Sequence, residues 1–358
     1  MKLSIIGTRG IPASYSGFET SVEETAIRFV KKNINTTVYC RKNHYKEINS
    51  EYHHVKLVHL PSIKTKHLDT ITHTFLSVIH CLKQDNDFIQ LYGVGNAVFI
   101  PLLKLSGVKI ISIVDGADWE RKKWGWIAKM FLKFCRKLTV QFSDYYVVDS
   151  EVLVDEYKNK FIRPPVYIPY GAVISNNFDK NVLKKYNLTD SRYIIFIGRF
   201  VKEKGIEFLI KHYCSIKTNI KLVVVGGNSI DRGYENKIKS MGNNNVIFTG
   251  FLYGKEYESL LRYSIFYVSC SFLEGTSPSL LSAMAINGYA LVSNLIENKE
   301  VLKGSCDTFK VGDSKDFIIK LQSLINKKHL DRKKTFRIVN KYYNWDTITD
   351  QYCELMIK

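Results

Sequence analysis

The chain has 358 residues, 45% hydrophobic and 24% charged, which suits two globular domains of ordinary size and excludes a disordered or fibrous chain. Its 52 Lys and Arg against 34 Asp and Glu give a net charge of +18, a field that attracts nucleic acid, anionic lipid or phosphorylated substrates. Residues 1–170 carry 24 basic and 16 acidic side chains and the remainder 28 and 18, so the charge is spread over both halves, which argues against a dedicated basic tail.

Met1-Lys2 leads straight into a short apolar run, so no signal peptide is expected. The seven cysteines, no two at metal-ligand spacing, read as reduced thiols of a cytosolic protein. The longest apolar stretch, 97–114, is broken by Pro101, Lys104 and Lys109, short of the ~18 residues a membrane span needs. Strand-like runs at 3–6, 37–40, 88–92, 109–114 and 145–148 alternate with helical patterns, and a second series follows at 193–198, 221–225, 246–249, 265–268 and 290–292. Two such series predict two doubly wound parallel sheets: residues 1–170, a linker at 171–191 after Pro164, Pro165 and Pro169, a second domain at 192–340, and a closing helix within 341–358 that returns to the first domain.

The first strand runs into a long glycine-bearing loop, Gly7-Thr8-Arg9-Gly10-Ile11-Pro12, followed by Tyr15-Ser16-Gly17-Phe18-Glu19-Thr20. The spacing does not fit the dinucleotide fingerprint. Arg9 is a candidate phosphate or acceptor contact, with Gly10, Gly17 and Glu19 in the same acceptor-side loop. Asp115 ends the run 109–114, where a carboxylate can orient a sugar hydroxyl or take a proton; a turn-capping aspartate is the plainer alternative. From Arg121 to Val140 there is no acidic residue. As a helix, this stretch places Trp126, Ile127, Met130, Phe131, Phe134 and Leu138 on one face, with Lys129, Lys133, Arg136 and Lys137 beside it. That pattern fits a helix lying on an anionic membrane surface, or equally one burying its apolar face in the core.

In the second series, the run 193–198 ends at Gly198-Arg199, and Lys204-Gly205 precede a helix. Two cations and a helix start thus meet at the carboxyl end of a strand, where open α/β sheets bind ligands and a diphosphate fits; an ordinary turn with solvated charges is the alternative. Gly226 and Gly227 end the next run, Phe251 follows the third, and Glu274-Gly275-Thr276-Ser277-Pro278 lead into a helix that carries Ser282. The triplet Asp85-Asn86-Asp87 precedes a strand, the wrong sheet edge for metal–nucleotide binding, and reads as a solvated turn.

Together these pieces resemble the family 4 glycosyltransferases. The resemblance implies an α/β chain of the GT-B fold, two facing Rossmann-like doubly wound domains with an interdomain cleft. It also implies a catalytic set of Arg199 and Lys204 on the donor diphosphate and Glu274 on the donor sugar, with Asp115 on the first-domain side. Glu274 matches the first Glu of an E-x7-E motif. Gly198, Gly226, Gly227, Phe251, Gly275, Thr276, Ser277, Pro278 and Ser282 form the implied donor-binding set. The segments 8–20 and 114–125 resemble a bacterial subgroup many of whose members are rhamnosyltransferases of capsule, O-antigen or exopolysaccharide assembly, and Tyr343-Asn344-Trp345-Asp346 resembles the family's closing helix.

Two departures stand out. The second Glu of the motif, which in relatives holds the nucleotide ribose, is Ser282 here, and many relatives carry a His where Asp115 stands. The expected activity is a retaining, metal-independent hexosyl transfer from a dTDP- or UDP-linked sugar to a lipid-linked saccharide, without cofactor and without nucleic acid. The expected location is cytoplasmic, peripheral on the inner face of the cytoplasmic membrane through Trp126, Lys129, Phe131, Lys133, Arg136 and Lys137. The alternatives are an epimerase or hydrolase of nucleotide sugars on the same fold, and a non-catalytic partner subunit.

Overall fold

A computed structural model of the chain describes residues 1–13, 17–65, 68–114, 116, 125–174, 177–190, 192–228 and 231–357. They form two compact units, Met1–Tyr170 with Trp345–Lys358, and Gly171–Asn344.

Unit 1 is built on a sheet of β1 (Lys2–Ile6), β2 (Asn35–Arg41), β3 (Glu51–Tyr52), β4 (Val55–Leu60), β5 (Phe88–Tyr92), β6 (Lys109–Val114), β7 (Tyr145–Val148) and β8 (Val166–Tyr167). Their order is β3-β4-β2-β1-β5-β6-β7-β8, parallel except for β3 against β4. The central strands are buried on both faces, and every residue of β5 is buried, as expected where helices cover both sides. The connections β4 to β5, β5 to β6 and β6 to β7 all advance in one direction across the sheet. Right-handed crossovers therefore put their helices, Leu68–Cys81, Ile100–Lys104 and Trp126–Phe142, on one face. The connection β1 to β2 runs the other way, so helix Gly17–Lys31 covers the opposite face. There it meets helix Trp345–Ile357: Phe29 and Tyr352 pack edge to face, Arg28 pairs with Asp346 at 2.7 Å and Lys32 with Asp350 at 2.6 Å. Trp345, Ile348 and Tyr352 are buried, each contributing about 1.5–3 kcal/mol of apolar burial.

Unit 2 carries β9 (Tyr193–Ile197), β10 (Lys221–Val225), β11 (Val246–Gly250), β12 (Tyr267–Ser269), β13 (Ala290–Ser293) and β14 (Asp307–Phe309), all parallel, in the order β11-β10-β9-β12-β13-β14. The strand order reverses between β9 and β12, and that switch point is where such sheets open a crevice beyond their carboxyl ends. Residues 171–191, expected as a linker, belong to this unit. Helix Asn181–Lys185 and its flanks are fastened to helix Gly254–Arg262: the Asp179 N–H donates to Ser259 Oγ at 2.9 Å, and Lys185 and Tyr186 both reach Glu256 at 2.6 Å. No helix among the described residues is long and apolar enough to cross a membrane.

Candidate functional site

The carboxyl ends of β11, β10, β9 and β12 gather most of the expected donor-side residues. Gly226 approaches the β9 turn so closely that a Cβ on it would stand 1.9 Å from the Gly198 carbonyl oxygen, and its φ is +130°, a region open to glycine. The Gly198 N–H donates to the Val225 carbonyl at 3.0 Å and the Phe200 N–H to the Gly227 carbonyl at 2.9 Å. Arg199 is thereby held in a short bridge between the two strand ends, its side chain exposed. The Phe251 ring stands against Gly227, 3.0 Å from where a Cβ would project. Glu235 accepts the Asn228 N–H at 2.9 Å, and Asn228 Nδ2 donates to the Phe200 carbonyl at 2.9 Å, so this glycine turn is stapled from both sides.

On the other side of β9, a single helical turn Lys202–Lys204 leads through Gly205 into helix Ile206–Cys214. A Cβ on Gly205 would stand 1.9 Å from the Cys270 carbonyl oxygen, so the helix start is pressed against the end of β12. The Phe272 N–H donates to the Glu203 carbonyl at 2.8 Å. This contact brings the two loops together, and the Lys204 ammonium reaches both carboxylate oxygens of Glu274 at 2.6 and 2.7 Å. The Glu274 side chain is only 6% exposed. Ser271 Oγ donates to its Oε1 at 2.7 Å, and Ser271 is itself held by Ser269 Oγ at 3.1 Å and, through its carbonyl, by Ser293 Oγ at 2.7 Å. A carboxylate offers about four lone-pair sites. Lys204 and Ser271 take both on Oε1 and one on Oε2, which leaves one acceptor site on Oε2 and one N–H on the ammonium for a ligand. Burial beside Glu274 pushes the Tyr267 phenol far above its ordinary range.

Thr276 and Ser277 are buried, Gly275 is half-buried, and Pro278 opens helix Pro278–Ile286, whose first N–H groups have no partner inside the helix. Ser282 is half-buried, and burial pushes the neighbouring Tyr257 phenol up to about 12. Sequence reasoning missed Ser271. The signal for Ser271 was available: two serines, Ser269 and Ser271, interrupt an otherwise apolar strand end three residues before Glu274.

In unit 1 the loop after β1 is bound to helix Gly17–Lys31, which Gly17 opens. Glu19 is buried and accepts the Arg9 N–H at 3.1 Å, while the Arg9 carbonyl accepts the Arg41 N–H at 2.9 Å. Glu19 is therefore a fastener of the loop, and the half-buried Arg9 side chain is its cationic feature. Gly10 rests on Cys40 with no room for a side chain. Asp115 lies outside the described residues, as do Tyr15 and Ser16. Asp85, Asn86 and Asp87 sit at the amino edge: Asp87 accepts the Lys2 N–H at 2.6 Å, Asp85 pairs with Lys2 at 3.2 Å and Asn86 accepts from Ser4 Oγ at 2.8 Å. Among the described residues no cluster of three or more His, Cys, Asp and Glu could hold a metal ion.

Helix Trp126–Phe142 is turned opposite to a core helix. It buries Leu132, Cys135, Thr139 and Val140 and exposes Trp126, Ile127, Met130, Phe131 and Phe134. Lys133 and Lys137 are exposed and Lys129 half-buried. Arg136 departs from the expectation of a surface cation: it is 8% exposed, pairs with Glu156 at 2.7 Å and lies over the Tyr157 and Phe161 rings. Its position on the inward side of the helix, next to Cys135, accounts for this.

Residues 178–340 match the model of the glycosyl transferases group 1 family, and residues 1–173 match that of a domain of unknown function, DUF1972. MJ1069, an uncharacterized glycosyltransferase of Methanocaldococcus jannaschii, is 25% identical over 275 residues, 70% of this chain and 68% of its own length. MJ1607, another uncharacterized glycosyltransferase of that organism, is 31% identical over 168 residues, 43% of each chain. Among solved structures, sucrose-phosphate synthase from Thermosynechococcus elongatus is similar over 99% of this chain and 98% of its own, with TM-score 0.83 and 16% identity. Anabaena Alr3699/HepE in complex with UDP-glucose is similar over 99% of both chains, with TM-score 0.79 and 12% identity. Both units together are a two-domain α/β chain of the GT-B fold.

Proposed function

We propose that this chain, a glycosyltransferase with a group 1 domain in its second unit, moves a hexose, rhamnose being our choice, from a dTDP- or UDP-linked donor to a lipid-linked saccharide during bacterial capsule, O-antigen or exopolysaccharide assembly. The observation that carries the reading is the Lys204–Glu274 pair at the β9/β12 switch point of unit 2, with Arg199 and the Gly198 and Gly226 turns at the same carboxyl ends. Solved neighbours of the same fold hold UDP and UDP-glucose, which supports a nucleotide-sugar donor.

In this reading the diphosphate lies against Arg199, the free N–H of Lys204 and the start of helix Pro278–Ile286. Negative charge grows on the leaving phosphate as the glycosidic bond breaks. Each charge-assisted hydrogen bond to it contributes roughly 1.5–3 kcal/mol, more where it tightens in the transition state, and the helix start adds its dipole. These groups supply the neutralisation that a divalent cation would otherwise provide, so the reaction proceeds without metal. Glu274 offers the open side of Oε2 to a donor hydroxyl. The acceptor docks on unit 1 near Arg9, Gly10 and Asp115, and attacks from the face the phosphate leaves, which takes up the acceptor proton and retains configuration. Helix Trp126–Phe142 sets the enzyme on the inner face of the cytoplasmic membrane, where a lipid-linked acceptor resides.

The test is a thermal-shift panel of nucleotide sugars on the purified chain, followed by product analysis with the stabilising donor. A donor at one hundred times its Kd stabilises the folded state by about 2.7 kcal/mol. No shift with any dTDP- or UDP-sugar, or a shift without transfer to any acceptor saccharide, overturns the reading.

A further inference from the structure

Helix Leu68–Cys81 packs Val78 and Cys81 into the core and also buries His73, Thr74 and Ser77, while it exposes Phe75, Leu76 and Ile79, with Phe75 46% exposed. The buried hydroxyls are satisfied within the helix, Thr74 Oγ1 donating to the Thr70 carbonyl at 2.9 Å and Ser77 Oγ to the His73 carbonyl at 2.8 Å. Three polar residues are therefore accommodated inward beside Val78 and Cys81, and an apolar stripe faces out. Helix Trp126–Phe142 also turns an apolar stripe outward, with Trp126 71% and Met130 61% exposed.

These two stripes share one face of unit 1. Both helices pack on the segment Val94–Phe99, the Phe75 ring lies 6.0 Å from that of Phe99, and Leu105, just past helix Ile100–Lys104, is 82% exposed. Monomeric proteins rarely leave such contiguous apolar area uncovered. The charges around it select the occupant. Helix Trp126–Phe142 contains no acidic residue, and Lys129, Lys133 and Lys137 recur every four residues along one edge of its apolar arc. The exposed stripe of helix Leu68–Cys81 carries no charge of either sign. An apolar face edged on one side by lysines is complementary to acyl chains beneath anionic headgroups.

Resting on the peripheral reading above, we infer that helices Leu68–Cys81 and Trp126–Phe142, with Phe99 and Leu105 between them, form one two-helix face that seats unit 1 on an anionic bilayer. Two helices at separate points fix the orientation of the unit, which a single interfacial helix does not.

The test is co-sedimentation of the full chain with vesicles of phosphatidylcholine alone or mixed with phosphatidylglycerol. Wild type is expected to sediment with the anionic vesicles only. The triple variant Phe75→Ser, Leu76→Ser, Ile79→Ser is expected to lose at least about threefold in bound fraction with its thermal transition intact, and Lys133→Glu with Lys137→Glu to lose binding as salt does. Should the triple variant misfold, Phe75→Ser alone and a fluorophore on Leu76→Cys, quenched by brominated lipid, give the same readout. Undiminished binding of the helix Leu68–Cys81 variants, with loss on Trp126→Ser and Met130→Ser, overturns the two-helix face and leaves the peripheral reading standing. Wild type that ignores anionic vesicles overturns both, and a dimer that dissolves in the triple variant assigns the face to a second copy instead.

Discussion

The Lys204 ammonium bridges both carboxylate oxygens of Glu274, at 2.6 and 2.7 Å, although the two residues are 70 positions apart and belong to the loops of two adjacent parallel strands. The pair locks the end of β9 to the end of β12 and fixes the cation at a defined point. With Arg199 exposed at the same strand end, the three groups carry one net positive charge, which favours an anion such as a diphosphate. Arg199→Ala and Lys204→Ala are each expected to lower turnover at least tenfold, about 1.4 kcal/mol. Lys204→Ala also strands a nearly buried carboxylate and costs about 1–3 kcal/mol of stability, whereas Arg199→Ala does not. Turnover assays beside urea titrations read both effects; wild-type turnover in the two variants removes the charge site.

Ser271 acts on the site through Glu274, not through a ligand. Its hydroxyl holds Oε1 at 2.7 Å and is fully buried. Ser271→Ala should free the Glu274 carboxylate to rotate, at a cost of about 1 kcal/mol. In steady-state kinetics this appears mainly as a higher donor KM, because the interaction with a sugar hydroxyl exists already in the ground state. An unchanged KM with a lowered Tm would make the serine merely structural.

Two glycines at neighbouring strand ends separate crowding from backbone strain. Gly226 and Gly250 both have positive φ, +130° and +76°, but an added methyl meets the Gly198 carbonyl at 1.9 Å in the first and nothing in the second. Gly250→Ala should cost about 1 kcal/mol of strain. Gly226→Ala adds a clash that only separation of β9 from β10 relieves, and should cost at least about twice as much while weakening donor binding. Equal destabilisation in thermal melts contradicts the close approach.

Much of this was legible in the residues. The runs around 193–198 and 221–225 are apolar on both faces, and each ends in glycine, so both the strands and the functional edge could be read. The two-residue β8 lies between prolines and β14 is three residues long, too short for periodicity to register. Val55–Leu60 mixes Lys and His into its alternation and gave no clear strand signal. Residues 171–191 look like a linker because their polar surface conceals what fastens them, the hydrogen bonds of Asp179, Lys185 and Tyr186 to a helix some 70 residues on. For helix Trp126–Phe142 periodicity found the larger apolar arc, but the smaller side, Leu132, Cys135 and Val140, is the one that packs. Arg136 falls on that side, and nothing in its local sequence distinguishes it from Lys133 or Lys137.

His73 makes the stability of unit 1 depend on pH. It is fully buried, and burial with the nearby Arg41 guanidinium lowers its pKa from 6.5 to about 4, against the opposing pull of Asp69. The unfolded chain binds this proton more tightly than the folded one. Stability from this group is therefore whole above about pH 6.5 and lost as pH falls from there towards 4, by up to about 3 kcal/mol. Urea midpoints at pH 7 and pH 5 should differ in wild type, and the difference should shrink in His73→Leu. An equal slope in both proteins assigns the acid sensitivity elsewhere.

Ser282 offers the sharpest test of donor choice. A serine hydroxyl carries no charge and offers two acceptor sites against about four on a carboxylate, so it cannot grip both hydroxyls of a ribose diol as a glutamate does. On the proposed reading, a donor lacking the 2′-hydroxyl loses nothing here. UDP and dUDP, which share a base and differ in that one hydroxyl, should therefore compete about equally for the wild-type chain. Ser282→Glu supplies two carboxylate oxygens, and a hydrogen bond to a charged acceptor is worth about 1.5–3 kcal/mol. The variant should favour UDP over dUDP by at least about tenfold. Because the base is constant, a strong preference of wild type for UDP cannot be blamed on the thymine methyl, and it would remove the deoxyribose donor from consideration.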